Sequence, residues 1–132
     1  MCGLVGYLSA KQASVEEINF IIKNMSSKIK HRGPDNQGVW IDPREGIVFA
    51  HQRLSILDLT EAGHQPMVSA SGRYVITFNG ELYNHLEIRN QIEEEVGAIK
   101  WKGHSDTETL LAGIDFWGLK KTLNQTKGMF AL

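Results

Sequence analysis

Cysteine is nearly absent: there is one in 132 residues, so no internal disulfide can form and no Cys-x-x-Cys metal or redox pair exists. No apolar run approaches the ~18 residues of a membrane-spanning helix, and the N-terminus lacks a secretory pattern, so the cytoplasm is the expected compartment. Charge of one sign is also missing. Fourteen basic against fifteen acidic side chains leave a formal net charge of −1, which gives no overall pull toward nucleic acid or an anionic membrane. The one charge run, Glu93-Glu94-Glu95, reads as a solvated helix face. Neither a Gly-x-x-x-x-Gly-Lys-Ser/Thr phosphate loop nor a Gly-x-Gly-x-x-Gly fingerprint occurs, so nothing supports a nucleotide site. Five histidines (His31, His51, His64, His85, His104) fall outside any His-x-x-x-His spacing, and no metal site is expected. There is no repeat, low-complexity stretch or linker. What remains, 42% hydrophobic and 22% charged residues, is ordinary for one globular domain that buries a core.

The single cysteine stands directly behind the initiator, in Met1-Cys2-Gly3-Leu4-Val5-Gly6. Removal of Met1 would leave Cys2 with a thiol and a free α-amine on one carbon. Such an amine titrates near ~7.7 to 8.0, against ~10.4 for lysine, so at neutral pH it can take the thiol proton directly or through a water. This is the logic of a nucleophile activated by an N-terminal amine. On this stretch alone the bland alternative, a small buried residue opening the strand Gly3–Leu8, is the stronger reading, and only the rest of the chain can overturn it.

Ser14-Val15-Glu16-Glu17 has capping-box form and predicts a helix whose apolar stripe is Val15, Ile18, Ile21, Ile22, Met25 and Ile29, ended by Gly33-Pro34. Short strands over 38–41 and 47–53, joined through Pro43 and Gly46, read as an antiparallel hairpin. A second hairpin is predicted to turn at 69–72 into a strand over 73–78, which Asn79-Gly80 then breaks. Asn84 starts a helix through Ile88, Ile92 and Val96 to Gly97. A short strand over 99–102 precedes another capping box, Ser105-Asp106-Thr107-Glu108, with Leu110, Leu111, Ile114 and Trp117 on one face of the helix that follows. Helices and antiparallel strands are segregated, which argues for a layered α+β architecture. Residues 128–132 read as a strand that has just begun, so a fragment of a longer protein is expected.

Several polar residues sit at predicted strand ends and helix starts. Arg53 can grip a carboxylate with two parallel donors, or simply pair with Asp58. Asn79-Gly80 can offer an amide and a backbone N–H to an oxyanion, or be a plain turn. Asp106 can bind an ammonium, or merely complement a helix dipole.

Taken with Cys2, these fall into ordered blocks: Met1 to Gly6, His31-Arg32-Gly33-Pro34-Asp35, His51-Gln52-Arg53-Leu54-Ser55-Ile56-Leu57-Asp58, Gly63-His64-Gln65-Pro66-Met67, Asn79-Gly80-Glu81-Leu82-Tyr83-Asn84, Ser105-Asp106-Thr107-Glu108 and Gly128-Met129-Phe130-Ala131. Over essentially the whole chain this resembles the class II glutamine amidotransferase domain of the asparagine synthetase (glutamine-hydrolysing) family. The second and third blocks resemble that branch rather than the glucosamine-phosphate synthase or phosphoribosyl amidotransferase branches.

The resemblance implies an Ntn-hydrolase of α+β class, a four-layer αββα sandwich of two antiparallel sheets, with one glutaminase domain over residues 1–132 that is truncated at its C-terminal end. It implies Cys2 as nucleophile, Arg53 on the glutamine α-carboxylate, Asn79 and Gly80 as the oxyanion hole, and Glu81 and Asp106 at the α-amino end. The reaction would hydrolyse L-glutamine to glutamate and ammonia through a γ-glutamyl thioester. Ammonia would pass to a synthetase domain of the same polypeptide, in a full-length protein that can form a homodimer. ATP and Mg belong to that domain, whose Ser-Gly-Gly-x-Asp-Ser loop this sequence lacks, so no cofactor is expected here; the charge balance already argues against a nucleic-acid or membrane partner. The acceptor, aspartate or another activated carboxylate, stays open. Two readings from other classes compete: a non-catalytic docking or regulatory module, and a Cys-His peptidase pairing Cys2 with His51 or His104. The peptidase explains neither Arg53 nor the Asn79-Gly80 pair.

Overall fold

A computed structural model describes residues 2–9, 14–55 and 60–132. The first half of the chain builds a three-stranded antiparallel sheet from β1 (Gly3–Leu8), β2 (Asn36–Asp42) and β3 (Ile47–Arg53), in the order β1-β3-β2. Helix α1 (Val15–Lys28) begins at the expected capping box: Ser14 Oγ accepts the Glu17 N–H, and Glu17 accepts the Ser14 N–H. Its buried Ile18 and Ile22 pack on Val48 and Ala50 of β3, with Val5, Tyr7 and Ile41 at the margin. Each such fully buried side chain contributes roughly 1.5–3 kcal/mol. A 3₁₀ turn, Lys30–Arg32, carries the chain from the helix back to the sheet.

The second half has its own core of Ile76, Phe78, Leu82, Ile88, Ile92, Leu110, Leu111 and Ile114. Around it lie two antiparallel pairs, β4 (Met67–Val68) with β5 (Val75–Ile76) and β6 (Asn79–Leu82) with β7 (Gly128–Ala131), and the helices α2 (His85–Val96), α3 (Asp106–Trp117) and α4 (Leu119–Gln125). The molecule is thus α+β with antiparallel sheets, as its segregated pattern predicts. No helix among the described residues is long and apolar enough to cross a membrane.

Five local expectations are corrected. Asn79-Gly80 does not break a strand but opens β6, because β7 supplies a ladder opposite it, Asn79 to Ala131 and Gly80 to Phe130. A Cβ on Gly80 would run into the Phe130 Cβ and the Met129 carbonyl, so glycine serves close strand approach here rather than a turn. The hairpin at 69–72 is present, but its strands are two residues each, and Phe78 lies between β5 and β6 with its N–H and C=O taken by side chains. Residues 99–102 form no strand: Trp101 is drawn to α2, its Nε1 donating to Glu93 at 2.7 Å and its ring lying 4.2 Å from the Arg89 guanidinium. At α3 only half of the capping box forms. Ser105 Oγ accepts the Glu108 N–H, while the Glu108 carboxylate turns to the N–H groups of Lys102 and Gly103 and to Arg89. Asn84 precedes α2 without capping it, and ties the helix start to α4 and β7 through the Gln125 carbonyl and the Lys127 N–H.

Candidate active site

Strand pairing decides where the thiol goes. Gly3 stands opposite Gln52 in the β1/β3 ladder, which sets Cys2 beside the end of β3. There Cys2 Sγ accepts the Leu54 N–H at 3.3 Å and lies 3.5 Å from the Leu54 carbonyl, and Arg32 Nε donates to the Cys2 carbonyl at 3.1 Å. The His31–Asp35 block closes around the same strand end. Asp35 donates its N–H to the Arg53 carbonyl at 3.0 Å and accepts the Ser55 N–H at 2.8 Å. Arg53, the last residue of β3, is buried, with Nη1 on the Thr60 carbonyl at 2.8 Å. The alternative pairing with Asp58 lies outside the described residues.

The facing wall comes from the second core. Strand β6 brings Asn79, Gly80 and Glu81 in succession, with Glu81 exposed. The start of α3 brings Ser105, Asp106 and Thr107; Asp106 is 5% exposed, and its Oδ2 accepts the Leu82 N–H at 2.9 Å. That bond gives Asp106 a structural duty beside any ligand it holds.

Between the walls lies a cleft of about 140 Å³, and all six residues singled out from the sequence, Cys2, Arg53, Asn79, Gly80, Glu81 and Asp106, line it. Neither His51 nor His104 does. His51 is fully buried on β3, with Nε2 3.0 Å from the Phe78 carbonyl and Nδ1 without a hydrogen-bond partner among the described residues. Burial pushes its pKa down from 6.5 to about 4, against the raising effect of the Phe78 bond and helped by the charges of Arg53 and His64. It is therefore neutral at neutral pH and donates from Nε2, which leaves a Cys-His pair without a histidine in the cleft. No group of three or more His, Cys, Asp or Glu side chains that could hold a metal occurs among the described residues.

Sequence reasoning missed the backbone of Leu54, which touches the sulfur, and the side chains of Gln65 and Thr107, which line the cleft and bond each other at 3.2 Å. Gln65 lies in one of the blocks that carry the resemblance, but its partners are distant in the chain and no local pattern marks its role.

The model of the glutamine amidotransferase domain family matches residues 1–132. An asparagine synthetase (glutamine-hydrolysing) of Bacillus subtilis, the first of three so named, is 39% identical over 135 residues, covering 99% of this chain and 20% of its own. A Mycobacterium tuberculosis protein that carries the same name provisionally is 37% identical over 142 residues, covering 99% of this chain and 21% of its own. The third Bacillus subtilis enzyme is 32% identical over 133 residues, with coverage of 99% and 20%. The chain spans about a fifth of the length of these curated relatives.

Proposed function

The chain belongs to the glutamine amidotransferase domain family, and from that premise we propose that it hydrolyses L-glutamine with Cys2 as nucleophile. With Met1 removed, the α-amine of Cys2 takes the thiol proton, and the sulfur adds to the carboxamide carbon. The oxygen that turns anionic is held by the Asn79 side-chain amide and the Gly80 N–H. Collapse expels the nitrogen as ammonia, the proton returning to it from the amine, and leaves a γ-glutamyl thioester. Water, deprotonated by the same amine, then releases glutamate. Arg53 holds the substrate α-carboxylate through its two-donor fork, and Glu81 and Asp106 hold the α-ammonium.

The observation that carries this reading is the convergence of six residues from well-separated stretches of sequence on one cleft that contains the only thiol. A module that merely docks has no need of all six. In the same reading the antiparallel sheets and their helices are parts of the four-layer αββα sandwich of an Ntn-hydrolase. The ammonia feeds an ATP-dependent, asparagine synthetase-like domain of the same polypeptide, which the chain's one-fifth share of its relatives' length supports.

The test is Cys2→Ala in the full-length protein. Glutamate release should fall to background while synthesis driven by added ammonia continues, because thiol attack serves only to free nitrogen from the amide. Glutamine hydrolysis near the wild-type rate would remove Cys2 as nucleophile.

A further inference from the structure

Phe78 immediately precedes Asn79, and its backbone is held from both sides by side chains. Its N–H is donated to Gln65 Oε1 at 2.7 Å, and its carbonyl accepts from His51 Nε2 at 3.0 Å. The same Gln65 carboxamide donates from Nε2 to Thr107 Oγ1 at 3.2 Å. Thr107 follows Asp106, whose Oδ2 holds the Leu82 N–H at 2.9 Å. Strand β6 is thereby fastened to the start of α3 at both ends, by Gln65 ahead of Asn79 and by Asp106 at Leu82.

Gln65 is itself fixed. It is 6% exposed, and its backbone lies so close on β2 that a Cβ on Gly38 would run into the Gln65 carbonyl. The preceding His64 is anchored by Nδ1 to Asn36 Oδ1 at 3.1 Å.

We propose that Gln65 is a positioning residue for the reaction: its carboxamide ties the Phe78 N–H, one peptide ahead of Asn79, to the start of α3, and so aims the Asn79 amide and the Gly80 N–H at the oxygen that becomes anionic. This rests on the glutamine-hydrolysis reading and adds a residue to it. A carboxamide suits the task because it presents one acceptor and one donor at a fixed spacing, and here both are used. Without the acceptor, the Phe78 N–H is orphaned in a buried place and the backbone shifts to satisfy it. Oxyanion donors act only when they stand at hydrogen-bond distance from the charged oxygen, so such a shift weakens transition-state binding more than substrate binding.

The decisive experiment compares two ligands on the full-length protein. One is the aldehyde analogue of glutamine, with –CHO in place of the carboxamide. The Cys2 sulfur adds to its carbonyl carbon, the π pair moves to the oxygen in the hole, the thiol proton ends on that oxygen, and nothing leaves. The other ligand is glutamate, which forms no such adduct. Gln65→Met should weaken aldehyde binding about ten-fold or more and lower kcat in parallel, with glutamate affinity and the KM for glutamine changed less than about three-fold. Thr107→Val should give a smaller loss of the same kind, and Thr107→Ser should restore it. If Gln65→Met does not fold, the two Thr107 variants decide. Aldehyde and glutamate affinities that fall together, or a wild-type preference for the aldehyde that survives in both Gln65→Met and Thr107→Val, would overturn the inference alone. A wild-type protein with no preference for the aldehyde would overturn the glutamine-hydrolysis reading and this inference with it.

Discussion

Arg53 ends β3 buried, with Nη1 on the Thr60 carbonyl, so its planar guanidinium is held in a fixed orientation rather than on a freely swinging chain. A lysine at this site keeps the charge but loses the parallel pair of donors. Arg53→Lys should therefore raise the KM for glutamine roughly ten-fold, about 1.4 kcal/mol of carboxylate binding, with little change in kcat. Steady-state glutamate release by the full-length protein checks this, and an unchanged KM in a folded variant would leave Arg53 a structural role alone. Cys2, Arg53 and Asp106, which line the cleft, stood out as reactive groups at strand or helix ends, but each kept a bland alternative until the ordered blocks of the resemblance joined them. Asn79 and Gly80 were legible as a pair but for the wrong local reason, since they lie in a strand and not in a turn. Gln65 and His51 were not legible, because both hold the backbone of Phe78, 13 and 27 positions away, and no spacing rule reports a side chain aimed at a distant main-chain atom.

At the scale of elements, β3 does two things at once. It centres the first sheet, and through His51 it reaches across to the Phe78 carbonyl ahead of β6. Because the folded pKa of His51 is lowered to about 4 from 6.5, the unfolded chain binds the extra proton between those values. The stability this group contributes is thus fully present above pH 6.5 and is lost as pH falls through 4, up to about 3 kcal/mol. Chemical denaturation across that window should show the wild type weakening toward acid more steeply than His51→Gln, whose amide still donates to the carbonyl but does not titrate. Parallel curves would assign the acid sensitivity to other groups. The elements that sequence patterns predict well are those with local signals, such as the capping box of α1 and the hairpin of β2 and β3. Strand β6 escaped because its partner β7 lies at the far end of the chain, and α4 because a seven-residue helix with one buried side chain, Thr122, carries too short a stripe to read.

In the molecule as a whole, the two cores supply opposite walls of one cleft. The first contributes Cys2 and Arg53, and the second contributes Asn79, Gly80, Glu81 and Asp106. Nucleophile and oxyanion donors thus ride on different packing units, and the His51 bond to Phe78 is one direct link between them. The division was visible in outline, since α+β segregation follows from the pattern of helices and strands, but the meeting of the two units at a cleft is a long-range fact that only packing supplies. In the proposed mechanism an amine-activated Cys2 carries the γ-glutamyl group. Acid quench of the Met1-processed full-length protein during glutamine turnover, followed by mass spectrometry of the N-terminal peptide, tests it directly, with a protein retaining Met1 run alongside. One γ-glutamyl group is expected on the peptide that begins at Cys2, none on the Met1-retained protein, and glutamate release by the processed form alone. Equal glutamate release by both forms, with no adduct on either, would contradict it.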